Sequence, residues 1–83
     1  MDHKLKRLIN TLKKPGRTAY MHDKKALIVM EKRETKAKYV STNLVQIMIP
    51  KDIAAKVTEA FELGLITIDR WRQVELTEKA YNS

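Results

Sequence analysis

Near the C-terminus, Arg70-Trp71-Arg72 sets two guanidinium groups on either side of the only tryptophan in the chain. Arginines presented this way pair with phosphate or enter the minor groove, whose negative potential draws them in. The indole between them either stacks on a base or sugar or packs back onto the core. Other chemistries are poorly supplied. Without cysteine there is no disulfide framework and no thiolate metal site. His3 and His22 lie too far apart for a local ligand pair. Ser41 and Ser83 have no nearby histidine–carboxylate pattern, and no glycine-rich loop exists to hold phosphate. The expectation is a binding protein, not an enzyme, with no cofactor and no metal.

Charge points to the class of partner. The net charge of +7 is uneven: residues 1–40 hold 12 Lys/Arg against 4 Asp/Glu, and residues 41–83 hold 5 against 6. A basic balance makes a polyanion the first partner to test. Lys4, Lys6, Arg7, Lys13, Lys14, Arg17, Lys24 and Lys25 supply most of the excess. Some of these would contact a nucleic-acid backbone, which positions without specifying; the others form a solvated face. The 83 residues suit a single domain, 1–83. The longest apolar run, Ala26 to Met30, is far short of the ~20 residues of a membrane span, and no signal-peptide run is present. A cytoplasmic protein that does not engage a membrane is expected.

The elements that must carry these groups follow from periodicity. Leu5, Leu8, Ile9 and Leu12 form a helical stripe from a cap at Asp2 to a stop at Pro15-Gly16. Arg17 to Met21 is short and extended. Lys24 to about Arg33 reads as a helix with Ala26, Leu27, Met30 and Val29 inward, although ALIVM equally suits a buried strand. Ser41 or Thr42 caps a short helix over Asn43–Met48 with Leu44, Ile47 and Met48 inward. A longer helix runs from Pro50 to Leu63, burying Ile53, Val57, Ala60 and Phe61, with Gly64 just past its end. Leu65–Ile68 and Gln73–Thr77 alternate as two strands joined by Asp69-Arg70-Trp71-Arg72, and one helical turn closes the chain.

That order resembles the winged helix-turn-helix group, MarR-like and PadR-like in pattern. The residues that carry the likeness are Val40 to Ile47 as the motif's first helix, Ile49-Pro50-Lys51 as the turn, Lys51 to Leu63 at the recognition-helix position, Leu63-Gly64-Leu65-Ile66 as the exit into the wing, and Val74 to Lys79 as the returning strand and its ending. The turn lacks the small residue often found there, and the helix carries Glu59 and Glu62 beside its lysines. The resemblance implies a mainly α fold with a small β-hairpin, a winged helix-turn-helix (24–80) preceded by an extra N-terminal helix (1–15). It also implies duplex DNA binding by a small transcriptional or replication regulator. Lys51, Asp52 and Lys56 would read the major groove, where lysine donates to guanine and aspartate accepts from cytosine. Arg70, Trp71 and Arg72 would form the wing contact. Thr42, Asn43, Arg17, Lys24 and Lys25 complete the nucleic-acid set. Such regulators commonly dimerise through helices outside the motif, so Leu5, Leu8, Ile9 and Leu12 are the candidate homodimer interface, with core packing as the other reading of the stripe. The rivals are a protein-interaction module on the same scaffold and an RNA binder in which Trp71 and Tyr39 stack on unpaired bases.

Overall fold

Asp2 caps the first helix, its carboxylate accepting from the Lys4 N–H at 3.2 Å. In the computed structural model, which describes residues 2–23, 26–36 and 40–82, this helix is α1 (His3–Lys13). Three strands follow: β1 (Arg17–Asp23), β2 (Ala26–Lys36) and β3 (Val40–Ile47). Two short helices, α2 (Lys51–Ala54) and α3 (Val57–Glu62), lead to the hairpin β4 (Ile66–Ile68) and β5 (Gln73–Leu76), and α4 (Glu78–Tyr81) ends the order.

All five strands join one sheet in the order β3-β2-β1-β5-β4, every pairing antiparallel. The expectation of a mainly α winged helix-turn-helix is therefore overturned. The hairpin and its turn form where the alternation placed them, with Ile66 opposite Leu76 and Ile68 opposite Val74. Of the segments read as helices over 24–33 and 43–48, residues 26–33 lie in strand β2 and residues 43–47 in strand β3. Ile28 and Val29, and then Val40, Thr42, Val45 and Ile47, are β-branched residues that suit a pleated surface, and pairing along the whole length of β3 satisfies their backbone.

Register explains which side chains are buried. Cross-strand partners place Ile47, Val29, Ala19, Val74 and Ile68 in one row across the sheet. That face carries the helices, and Leu5, Leu8, Ile9, Ile53, Val57, Ala60 and Ala80 join Ala19, Val29, Ile66 and Val74 in a single core. The opposite face, with Thr18, Tyr20, Ile28 and Met30 in the alternate positions, is left open. Leu44 and Met48, expected inside, are 65% and 83% exposed, and Phe61 is 51% exposed.

The 50–63 segment does contain helix, but it is broken. Ala55 and Lys56 keep helical φ with ψ of −17° and −3°, and the Lys56 N–H turns back to the Ile53 carbonyl. Its end is as expected. Gly64 has φ 73°, with the Leu65 N–H donating to the Ala60 carbonyl and the Gly64 N–H to that of Phe61. This paired closure is the Schellman motif, and it requires the left-handed region that glycine enters freely.

The radius of gyration, 13.6 Å, and extents of 46 × 27 × 24 Å exceed the ~12 Å radius of a compact chain of this length. The cause is a protruding arm. β1 begins at Arg17, opposite Glu31, so beyond Lys32 the β2 strand pairs only with β3.

Candidate nucleic-acid interface

At the tip of the β4–β5 hairpin one aspartate organises the turn. The Asp69 carboxylate accepts from the backbone N–H groups of Trp71 (2.9 Å) and Gln73 (3.0 Å). The Arg72 N–H closes onto the Asp69 carbonyl at 3.0 Å and the Asp69 N–H onto that of Gln73 at 3.2 Å. Arg72 then takes φ 64°. A type I turn followed by a left-handed residue is the usual three-residue hairpin loop, but glycine normally occupies that last position. The turn is also stitched to β1: the Met21 N–H donates to the Arg72 carbonyl at 2.8 Å. Trp71 does not pack back; it is 68% exposed, with the Arg70 guanidinium 4.2 Å from its ring centre.

The supposed recognition residues are arranged quite differently from a reading head. Lys56 is held by the carboxylates of Asp2 and Glu59, and Asp52 pairs with Lys4 at 3.3 Å. The Lys56 ammonium, bound first by Asp2 and then by Glu59, has its pKa raised, and the same contact lowers that of Asp2. The Lys4 ammonium lowers that of Asp52. These ion pairs tie α1 to the helices that follow β3. Lys51 is exposed, but it stands at the head of a four-residue helix, too short to lie along a major groove. The helix expected to read bases serves the core through Ile53 and Ala54.

A second basic region gathers where the arm leaves the body. The Lys32 N–H donates to the Gly16 carbonyl at 2.9 Å, which brings the end of α1, with Lys13 and Lys14, against the base of the arm. Arg17 links the same parts: its Nη1 donates to the Thr11 carbonyl at 2.7 Å and its Nε to Glu31 at 3.0 Å. Arg33 donates to the other Glu31 oxygen at 2.9 Å. One carboxylate is thus clasped by two guanidinium groups, Arg33 foremost, and its pKa is lowered. Beside this ladder lies a groove of about 360 Å³ between α1 and the chain joining β3 to α2. Among the described residues its lining sets three cations, Arg7, Lys14 and Arg17, and no carboxylate along one side, against an apolar wall from Ile47 to Pro50 with Ile53. Such a trough suits an anion.

The other expected residues fall as follows. Thr42 and Asn43 are exposed on the arm, opposite Glu34 and Arg33, through strand pairing and not as helix caps. Arg17 belongs to the basic region, yet its side chain is only 9% exposed, so it braces the region from within. Lys24, Lys25 and Tyr39 lie outside the described residues. The stripe assigned to a dimer interface is taken by the core: Leu5, Leu8 and Ile9 are 0–2% exposed and Leu12 packs at their edge. Arg33, central to the basic region, is not among the residues expected from the sequence. The β-branched density of 40–47 was the signal that could have revealed a ribbon and, with it, the placement of Arg33.

Among the described residues no cluster of His, Asp or Glu could hold a metal ion, and no helix is long and apolar enough to cross a membrane. No family model matches the chain, and neither the curated proteins nor the solved structures yield a relative.

Proposed function

We propose that the chain binds duplex nucleic acid through the cationic region at the base of its β2–β3 arm. The observation that carries this reading is the carboxylate-free trough lined by Arg7, Lys14 and Arg17, continued by Arg33 along the arm. In this reading Arg7, Lys14 and Arg33 neutralise backbone phosphates, which sets position and not sequence. The major groove admits a two-stranded β-ribbon as readily as a helix, so the arm is the element offered to it, with Thr42 and Asn43 as polar contacts. The role is that of a small DNA-binding regulator acting in the cytoplasm.

Fluorescence anisotropy with a labelled random duplex tests the reading. Affinity should fall with salt at a log–log slope of about −0.9 per phosphate engaged. The triple variant Arg7→Ala/Lys14→Ala/Arg33→Ala should lose about 2.7 of that slope. An unchanged slope in the variant, or a flat profile in the parent, refutes the assignment.

One observation favours a second reading. Tyr20, Ile28 and Met30 occupy the open sheet face together, and Tyr20 is 39% exposed. An uncovered face with an apolar row suits a protein partner, a second copy included. Light scattering that returns twice the 9.7 kDa chain mass at micromolar concentration would support self-association there.

A further inference from the structure

The hairpin tip lies at the other end of β1 from the arm: its contacts are to Met21 and His22, whereas Arg17 opens the strand at the arm's base. We infer that this tip is a second nucleic-acid contact, in which Trp71 stacks on an unpaired base and the flanking guanidinium groups hold the phosphates beside it. The inference deepens the proposed function, since it names the form of the partner: a strand with unpaired bases next to the duplex held at the arm.

Four observations meet here. The only tryptophan of the chain is 68% exposed, although an indole ordinarily supplies a large share of a small core. Its ring is in van der Waals range of one guanidinium, Arg70 at 4.2 Å, which leaves the other face to solvent. The backbone beneath it is fixed by the two Asp69 hydrogen bonds and by the Met21 bond to Arg72, so only the side-chain torsions of Trp71 remain to be ordered. Finally, Arg72 is kept at φ 64°, where a glycine would fit without strain. Strain of this kind tends to be retained where a side chain is in use.

Arg70 and Arg72 flank the ring. Asp69 and Asp23 balance them in net charge, but the Asp69 carboxylate is turned onto the backbone N–H groups of Trp71 and Gln73, so the guanidinium groups beside the indole are the charges offered to a phosphorylated aromatic ligand. A hollow of about 340 Å³ lined by Met21, His22, Asp23 and Arg72 adjoins the turn and offers room for a sugar; Asp23 is its one carboxylate. Stacking on every base's π-face is tolerant of sequence, and a neighbouring guanidinium adds to it. A lipid surface is disfavoured, because the turn around Trp71 is Asp69, Arg70 and Arg72, with no second apolar side chain to insert.

Because Trp71 is the only tryptophan, its own emission reports the contact. Four probes separate the possibilities: single-stranded oligothymidine, a blunt duplex, the same duplex with a thymidine overhang, and vesicles of anionic phospholipid. The expected result is quenching by the single strand and the overhang, none by the blunt duplex, and none by vesicles. Trp71→Ala, at an exposed site, should leave the melting curve unchanged and weaken overhang binding by about 5- to 150-fold in anisotropy. Trp71→Phe should recover part of that loss. If no strand quenches Trp71 while the blunt duplex still binds at the arm, the stacking site is refuted and the proposed function stands. If single strand quenches Trp71 while Arg7→Ala/Lys14→Ala/Arg33→Ala changes nothing, the arm reading fails and the stacking site stands. Quenching or a blue shift with vesicles alone overturns the inference in favour of a lipid contact.

Discussion

Replacing Arg72 by glycine should move stability and binding in opposite directions. An L-residue in the left-handed region costs roughly 1–2 kcal/mol, and Arg72 sits there at φ 64°. Glycine removes that strain but adds roughly 0.5–1 kcal/mol of entropy to the unfolded chain. The side chain itself gives up little. Its one hydrogen bond, to the His22 carbonyl, is 3.5 Å long and exposed, beyond the range of a good bond. The turn's backbone bonds, Arg72 N–H to Asp69 and Met21 N–H to Arg72, need no side chain. The net is a gain of about 0–1.5 kcal/mol, centred at about 0.75 kcal/mol, which raises the melting temperature by about 3–6 °C for a domain of this size. Arg72→Ala keeps the strain and drops the guanidinium, so its melting point should stay near the parent's. Arg72→Asn should fall between, since asparagine tolerates the left-handed region. Thermal melts followed by circular dichroism rank the series. Both the glycine and alanine variants should bind a thymidine overhang more weakly, and by the same factor. A glycine variant no more stable than the alanine one would refute the strain argument, whatever happened to binding.

Two further outcomes follow from the core and the ion pairs. Leu8 is fully buried, so Leu8→Ala should destabilise the monomer by about 3 kcal/mol, with a midpoint that does not depend on protein concentration; a concentration-dependent midpoint would return α1 to the role of a dimer interface. Asp2, Glu31 and Asp52 have lowered pKa values, caused by Lys56, Arg33 and Lys4 in turn. Their contribution is complete above the unfolded carboxylate range near pH ~4 and is lost as pH falls through the lower folded values. The urea midpoint should therefore drop below about pH 4. Asp2→Asn/Asp52→Asn, which keeps the cap because asparagine caps as well as aspartate, should make that acid limb shallower; an identical limb would show that these ion pairs contribute nothing.

What could be read from the sequence was local. Asp2, the Leu5/Leu8/Ile9 stripe, Gly64 and the turn at Asp69 each act within a few residues, and each element they signal is present. What could not be read depends on partners far along the chain. Leu44, Ile47 and Met48 satisfy a helical spacing while Val45 and Ile47 satisfy a strand one, and only pairing of β3 with β2 decides between them. The same holds for Ala26 to Met30: a run apolar on both faces is a helix or a central strand until a neighbour is found. With those two segments as helices, Lys51–Leu63 falls at the place of a recognition helix. Asp2 and Lys4, remote in sequence, then supplied the carboxylate and ammonium that occupy Lys56 and Asp52. The tip residues kept their exposure because a hairpin turn is determined locally, whichever fold surrounds it.

The division of labour at Glu31 shows how a basic region can be both structural and available. Arg17 and Arg33 share its two oxygens, but Arg17 is 9% exposed and also bonds the Thr11 carbonyl, while Arg33 is 59% exposed and has no second bond of that kind among the described residues. Arg17 is therefore committed to joining α1 to the sheet. Its guanidinium cancels the carboxylate that would otherwise neutralise Arg33. The two guanidinium groups and one carboxylate leave the cluster a net charge of +1, whose exposed end is Arg33, next to Lys14 and Arg7, which make no ion pair among the described residues. A polyanion approaching the trough meets a positive potential whose one internal counter-charge has already been offset from beneath. That arrangement, more than the total of +7, is why the proposed function assigns phosphate contacts to the arm's base and not to the rest of α1.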